Sequence, residues 1–300
     1  MQNPSSVVMI RPLHFSVNAE TAIDNAFQSP PGEGDRDNAI AEFDAMVSDL
    51  KAEGVDVRVF DQLTEETPDA VFPNNWFSTH PSGLIVTYPM FAPSRRGERR
   101  EDILAALGKT HQVSGVMDLS QNEAQAKFLE GTGAIVFDHR TRTAFMAQSL
   151  RADADLLVNL AKDLGYEPVI FTATDEHQHP IYHTNVMLSV GEQVTLVGLE
   201  TIEDEEERQD VFAALSGRGN LMVELSRPQI AQFAGNAFEV QTPDGHVLVM
   251  SETGWNALDR EQREAIESAV RVIVPSVPTI EKSGGSVRCM MAGVHLPPKH

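Results

Sequence analysis

The feature that most constrains this chain is its order of elements. Strand, strand, helix, strand recurs several times along 300 residues, with no linker rich in Pro, Gly or Ser to divide it. VVMIRPLHF reads as a first strand ended by Pro12, and the polar stretch from Thr21 to Pro31 is rich in turn residues. Apolar residues at helical spacing (Ala39, Ile40, Phe43, Met46, Val47, Leu50) predict a helix over Asp37–Glu53, with Gly54 as its stop. The same reading predicts helices over Glu101–Leu107, Asp153–Leu164, Glu203–Leu215 and Leu258–Val270. VDVRVF, GLIVTYP and EPVIFTA read as single strands. GAIVFD with TAFMAQS, VMLSVGEQVTLVGLE, and GNAFEVQTPDGHVLVMSE read as strand pairs around turns. SVRCMMAGVHL reads as a final apolar strand. No exact sequence repeat accompanies this repeated order. One α/β domain over residues 1–300 is the expected organisation.

Charge narrows the partners. The formal net charge is −21, and so acidic a surface repels phosphate backbones and anionic lipid. No apolar run approaches the roughly 20 residues of a membrane helix, and MQNPSSVVMIRPLHF lacks the basic and apolar regions of a signal peptide. The single cysteine excludes a disulfide within the chain and fits a cytoplasmic setting. The expected partner is a small molecule. The oligomeric state stays open.

The lone cysteine, Cys289, sits in SGGSVRCMM. The two glycines permit a tight turn or close approach of a ligand, and the neighbouring Arg288 favours a thiolate. An inert buried thiol packed with Met290 and Met291 is the ordinary fate of such a residue. His183, in PIYHTNVML, has the titration range and the sequence distance expected of the acid–base partner of a cysteine. It is one of ten histidines, and a hydrogen-bonded core or surface histidine is the alternative. Glu130 in FLEGTGAIVF is placed to orient a histidine or hold a substrate nitrogen, or to be a turn residue. PDAVFPNNWFS brings Asp69, Asn74 and Asn75 beside aromatics. This suits a planar amide-like group, although an Asn-rich turn has the same composition. APSRRGERRED gathers Arg95, Arg96, Arg99 and Arg100, whose guanidinium forks bind carboxylates, either a substrate's or those of the acidic surface. Asp175, Glu176, His177 and His179 lie in a polar loop without zinc-site spacing. No metal or other cofactor is expected.

Taken in order, these segments resemble the guanidine-modifying enzymes of the pentein fold, which include arginine deiminases, dimethylarginine hydrolases, succinylarginine dihydrolases and amidinotransferases. The segments are MIRP with Arg11–Pro12, PDAVFPNN, APSRR, LEGTG, SLRAD, YHTN, GNAFEV and GGSVRCM. The resemblance implies a five-bladed α/β propeller of ββαβ units. It implies Cys289 as nucleophile, His183 as its acid–base partner and Glu130 as the acid beside that histidine. It further implies Asp69 at the substrate's α-amino group, Arg96 (or its neighbour Arg95) and Arg151 at the carboxylate, and Asn75, Asn185 and Asn236 at the reacting group.

Three departures bear on the substrate. Arginine deiminases clamp the guanidinium with two aspartates; Asn75 and Asn185 stand at those positions here. LEGTG also lacks the second acid of the family's LEGGD segment. Leaving a buried charge without its partner costs about 3–5 kcal/mol, whereas an asparagine suits a neutral ureido group by donating to its oxygen and accepting from its N–H groups. The pattern is most similar to the amidinotransferase-like citrulline-utilisation hydrolases, which release ornithine. The expected reaction is hydrolysis of L-citrulline to ornithine, ammonia and carbon dioxide through a thiocarbamate on Cys289. Deiminase or dihydrolase action on arginine, methylarginine or succinylarginine, amidinotransfer, and a binding-only pentein are the alternatives. Residues 18–36 and the TDEHQHP loop are the candidate lids.

Overall fold

The structure, a computed structural model, describes residues 2–299. Strand β1 (Ser6–Arg11) runs parallel to β2 (Asp56–Asp61), joined by the helix Asp35–Ala52. Four units of one pattern follow. In each, two antiparallel strands are followed by a helix and a third strand parallel to the second, because a parallel return requires a crossover. The second unit is β3 (Phe77–Thr79), β4 (Leu84–Thr87), the helix Glu101–Thr110 and β5 (Gly115–Asp118). The third is β6 (Val136–Asp138), β7 (Thr143–Ala147), Ala154–Leu164 and β8 (Glu167–Phe171). The fourth is β9 (Leu188–Val190), β10 (Val194–Val197), Glu205–Ser216 and β11 (Leu221–Glu224). The fifth is β12 (Phe238–Thr242), β13 (Gly245–Val249), Arg260–Ala269 and β14 (Arg271–Ile273). The last strand, β15 (Ala292–Gly293), returns antiparallel to β1 and completes the first sheet.

Five three-stranded sheets result. Their first strands adjoin one another, β6 beside β9, β9 beside β12 and β15 beside β3, so they ring a common axis. This is the five-bladed α/β propeller that the resemblance implied.

Local chemistry explains the helix bounds. Asp153 caps Ala154–Leu164 by accepting from the Leu156 amide, and Gly165 ends it in the left-handed conformation at φ 73°. The helix buries Leu156, Leu157, Leu160 and Ala161. Asp204 caps Glu205–Ser216, and Asp259 with Gln262 forms a capping box on Arg260–Ala269. All five predicted helices are present, with ends shifted by a few residues. The outer strands β5, β11 and β14 carry only three or four residues each, too few for an alternation to register.

One expectation fails where it matters for function. SVRCMMAGVHL is not a strand: only Ala292–Gly293 pair, and Ser286–Met291 form a turn. The Cys289 and Met290 amides donate to the Ser286 carbonyl, and that of Met291 to Arg288. The apolar run is buried by a turn at the axis instead of by a ladder.

Candidate active site

A turn precedes each ring strand, and these five turns carry the residues singled out in the sequence. Asn75 ends the 3-10 turn Pro73–Asn75 before β3. Glu130 enters the short helix Gly131–Ala134 before β6. His183 and Asn185 flank and occupy the turn Thr184–Val186 before β9. Asn236 precedes β12, and Cys289 precedes β15. The repeated blade therefore delivers one turn from each unit to one end of the axis.

The turns abut so closely that side chains are excluded from some positions. Gly131 has φ 44°, and a Cβ there would lie 2.6 Å from the Asn74 carbonyl oxygen. A Cβ at Gly133 would lie 2.7 Å from both Asn75 Oδ1 and His183 Nδ1. The residue that replaces the second acid of the family's LEGGD segment thus makes room for two site residues.

Cys289 is 2% exposed. Its Sγ accepts from Asn185 Nδ2 and from Asn236 Nδ2, each at 3.3 Å. His183 Nε2 lies 2.8 Å from Glu130 Oε2. Burial by itself would raise the Glu130 pKa, but Arg151, the hydrogen bond from His183 and Arg95 outweigh it and hold the carboxyl well below its usual range. An ionised Glu130 only accepts, so Nε2 carries the proton and Nδ1 is the bare nitrogen. Burial lowers the His183 pKa against the opposing pull of Glu130, so the ring is neutral at pH 7.

Cys289, His183, Asn75, Asp69, Arg95 and Arg151 line one cavity. Its free volume is about 10 Å³, room for about one water molecule. Thr21 and Asn25 close it from the segment 18–28, and Gly284 and Gly285 close it beside the cysteine. The first lid candidate therefore borders the cavity. The second, TDEHQHP, contributes nothing to the cavity wall; Asp175 ties it down by accepting from the His177 and His179 amides. No cluster of three or more His, Cys, Asp or Glu arranged to hold a metal occurs among the described residues.

Four buried acceptors have no partner: Asp69 Oδ1, Asn75 Oδ1 and His183 Nδ1 on lining residues, and Asn185 Oδ1, which lies off the wall; the Ser283 hydroxyl on the wall is also unpartnered. Such atoms are rare in folded proteins and mark where a ligand or water belongs. The Asp69 Oδ2 atom is spoken for, accepting from Asn18 Nδ2 at 2.9 Å and Thr21 Oγ1 at 3.3 Å. Burial raises the Asp69 pKa in spite of Arg95 and Asn18.

Two expected assignments change. Arg96 does not reach the cavity: it is directed outward, bonding the Met90 and Phe91 carbonyls and pairing with Glu123 at 3.5 Å. One residue back on the same short helix, Arg95 turns inward, buried against Glu98 through two bonds of 2.9 Å and against Glu130 at 3.4 Å. Consecutive helical residues point about 100° apart, so only one of the pair can face the site. Asn236 is not at the cavity wall either. Its Oδ1 accepts from the Arg288 amide and its Nδ2 serves the Asn185 carbonyl and Cys289, so it positions the Cys289 sulfur. Arg151 does line the cavity, where Asp24 of the covering segment holds it.

Several contributors lay outside the sequence reading. Glu98, three residues after Arg95 in the arginine cluster, is its ion-pair partner, and burial pushes its carboxyl up to about 7. Tyr182 packs its ring 5.0 Å from the Arg151 guanidinium and donates to the Gly284 carbonyl. Asp24 carried no signal without the fold, and Gly133 was marked only as the missing second acid of LEGTG.

Residues 11–296 match the family described as N,N dimethylarginine dimethylhydrolase, eukaryotic. No curated protein matches the chain. Among solved structures, the N-terminal domain of ArgZ, a cyanobacterial arginine dihydrolase, in a substrate-bound cysteine-to-serine variant, is 20% identical with a TM-score of 0.76. The match covers 97% of this chain and 98% of that one. Unliganded AgrE is 18% identical with a TM-score of 0.77, over 98% of this chain and 40% of AgrE. The Pseudomonas aeruginosa dimethylarginine hydrolase, in complex with citrulline, is 17% identical with a TM-score of 0.69, over 97% and 99% of the two chains. The chain spans 41% of the length of the longer ArgZ chain in its apo structure. At these identities the shared property is the fold.

Proposed function

We propose, on the premise that the chain belongs to the N,N-dimethylarginine dimethylhydrolase family, that it is a cysteine-dependent hydrolase of a ureido amino acid, with L-citrulline the first candidate. The observation that carries this reading is the set of unpartnered acceptors around Cys289. They call for a ligand with N–H groups at both ends. At the cysteine end the acceptors are amide oxygens, those of Asn75 and Asn185, which bear no charge. A cationic guanidinium buried there would lack a counter-ion, whereas a neutral ureido group would not need one. At the other end Asp69 offers a carboxylate oxygen to an α-ammonium group. Arg95 and Arg151 supply positive charge on the cavity wall for the α-carboxylate.

The chemistry follows from the atoms in place. The Cys289 sulfur attacks the ureido carbon, and its charge is supported by the amides of Asn185 and Asn236. His183 Nδ1, bare in the resting site, first takes the Cys289 thiol proton and then delivers it to the departing ammonia, leaving a thiocarbamate. The same nitrogen then takes a proton from the attacking water, the thiol is released, and the δ-carbamate loses carbon dioxide to give ornithine. Citrulline and one water thereby yield ornithine, ammonia and carbon dioxide. Glu130 keeps the bare nitrogen turned to the reaction by binding the other. The covering segment excludes bulk water while the thiocarbamate exists.

Mass spectrometry of enzyme quenched during citrulline turnover tests the scheme. The expected product is an adduct of citrulline less ammonia on Cys289, absent from Cys289→Ser. Turnover by Cys289→Ser at more than a few per cent of the native rate contradicts it. A second reading, hydrolysis of arginine itself, draws on the same four acceptors, since guanidinium N–H groups also satisfy amide oxygens. The solved complexes of AgrE with L-arginine and of ArgZ with its substrate keep it in view.

A further inference from the structure

We propose that a second cavity on the propeller axis, lined by Arg288, His80 and His295, binds a small inorganic monoanion of chloride size, and that its occupancy lowers the reactivity of Cys289. The cavity shares no lining residue with the Cys289 cavity. It is ringed by all five first strands, through Phe77, Val136, Leu188, Phe238 and Gly293. Its free volume is about 40 Å³, enough for a few water molecules and too little for an amino acid.

The only formal charge on its wall is that of Arg288. The guanidinium rests 4.0 Å over the Phe238 ring and spends one N–H on the Met291 carbonyl. No carboxylate pairs with it among the described residues. Burial lowers its pKa to about 10, so it stays cationic at neutral pH. The three histidines on the wall are kept neutral by burial: His80 is lowered to about 3, His139 to about 4, and His295 well below its ordinary value. A cation is repelled from such a site and an anion is drawn to it.

His80 supplies a second donor. It is 3% exposed, and its Nδ1 has no partner. Its Nε2 lies 2.8 Å from Ser78 Oγ, which lies 2.7 Å from the Tyr88 hydroxyl. Tyr88 is fully buried, and Ser78 is its hydroxyl's sole acceptor among the described residues. The phenol must therefore donate to Ser78, Ser78 donates to Nε2, and the His80 proton is left on Nδ1. A guanidinium and an unused N–H on one small, otherwise neutral cavity match an anion's needs.

The coupling to Cys289 is short. The Arg288 amide donates to Asn236 Oδ1 at 3.1 Å, and the Nδ2 of that asparagine donates to the Cys289 sulfur. An anion held by the Arg288 side chain offsets the cation that favours negative charge on the next residue's sulfur. This inference concerns the thiol and is independent of the substrate assignment.

The test uses bromide and chloride with the intact protein. Crystals grown in bromide should show an anomalous peak between the Arg288 guanidinium and His80 Nδ1. In solution, alkylation of Cys289 by iodoacetamide should slow several-fold, and saturably, as sodium chloride replaces sodium gluconate at constant ionic strength. His80→Phe, which fills the cavity, should abolish both effects. Should that variant not fold, Ser78→Ala, which frees the His80 tautomer, should raise the chloride concentration needed for half the effect. Absence of a bromide peak in the cavity overturns the proposal. So does equal slowing by chloride in the native protein and the variants, which would place the anion at Arg95 or Arg151 instead.

Discussion

Asn185 donates its side-chain amide to the sulfur of Cys289 across 3.3 Å, while its own carbonyl oxygen has no partner. One residue thus gives its N–H to the sulfur and holds an unused acceptor, while its side chain lies off the cavity wall. An aspartate at this position would turn both contacts into charge. It would repel a thiolate and attract a cation.

That reasoning sets the first prediction. Asn185→Asp alone should lower kcat/KM for citrulline by about tenfold or more, because a like charge beside the sulfur disfavours the thiolate. Asn75→Asp with Asn185→Asp should shift the ratio of kcat/KM values toward arginine. Steady-state kinetics on both substrates decide, and an unchanged ratio would remove the charge argument.

Gly133→Ala should disable the enzyme although it adds a single methyl group. Its Cβ would meet Asn75 Oδ1 and His183 Nδ1 at 2.7 Å, inside van der Waals contact. Overpacking of this kind costs on the order of 1–3 kcal/mol, and here relief displaces the two groups at the reaction. Melting temperature should fall modestly and kcat steeply; a variant with native kcat would show that neither residue needs its present position.

Glu130→Gln separates orientation from stability. Glu130 is fully buried and receives His183 at 2.8 Å, Arg95 at 3.4 Å and Arg151 at 3.6 Å. Removing its charge leaves two buried cations with less compensation, at a cost of about 3–5 kcal/mol. It also frees the His183 ring to reverse its donor and acceptor, for a loss of about a hundredfold or more in kcat. Chemical denaturation and kinetics measure the two effects. Loss of stability with full kcat would confine Glu130 to a structural role.

Acid sensitivity follows from the axial histidines. The His80 pKa falls from 6.5 in the open chain to about 3 in the fold, and that of His139 to about 4. Between these limits the folded chain binds fewer protons than the unfolded one. The contribution of each is therefore fully present above pH 6.5 and is lost as the pH falls toward 4 and 3. His80→Gln, which cannot titrate, should narrow the difference in urea midpoint between neutral and mildly acid buffer. An equally steep acid limb in the variant would show that His80 does not carry it.

Much of the architecture was legible because it is written in repeats. Three of the five helices carry side-chain caps at their starts, and the ring strands β6, β9 and β12 sit in apolar runs, whereas β3 (Phe77–Thr79) is short and half polar. The turns were less legible. SVRCMM is apolar because it is buried at the axis, and burial alone does not distinguish a turn from a strand. The chemistry-bearing residues Cys289, His183, Glu130, Asn75 and Asn185 were identifiable as types in an order, and the fold gathers them at one end of the ring. Which of Arg95 and Arg96 faces inward depends on the phase of a four-residue helix, Pro93–Arg96, too short to show a periodicity. The roles of Gly133, Asp24 and Glu98 arise from contacts between blades or with a covering loop, which no local pattern records.

The most direct measurement is product analysis. The purified protein would be incubated separately with L-citrulline, L-arginine and Nω-methylarginine while ammonia and ornithine are followed. Ammonia and ornithine in equal amounts from citrulline, with little or nothing from the two cationic substrates, is the predicted result. Citrulline accumulating from arginine, or ornithine formed from arginine as readily as from citrulline, would contradict the assignment of Asn75 and Asn185 to a neutral ureido group.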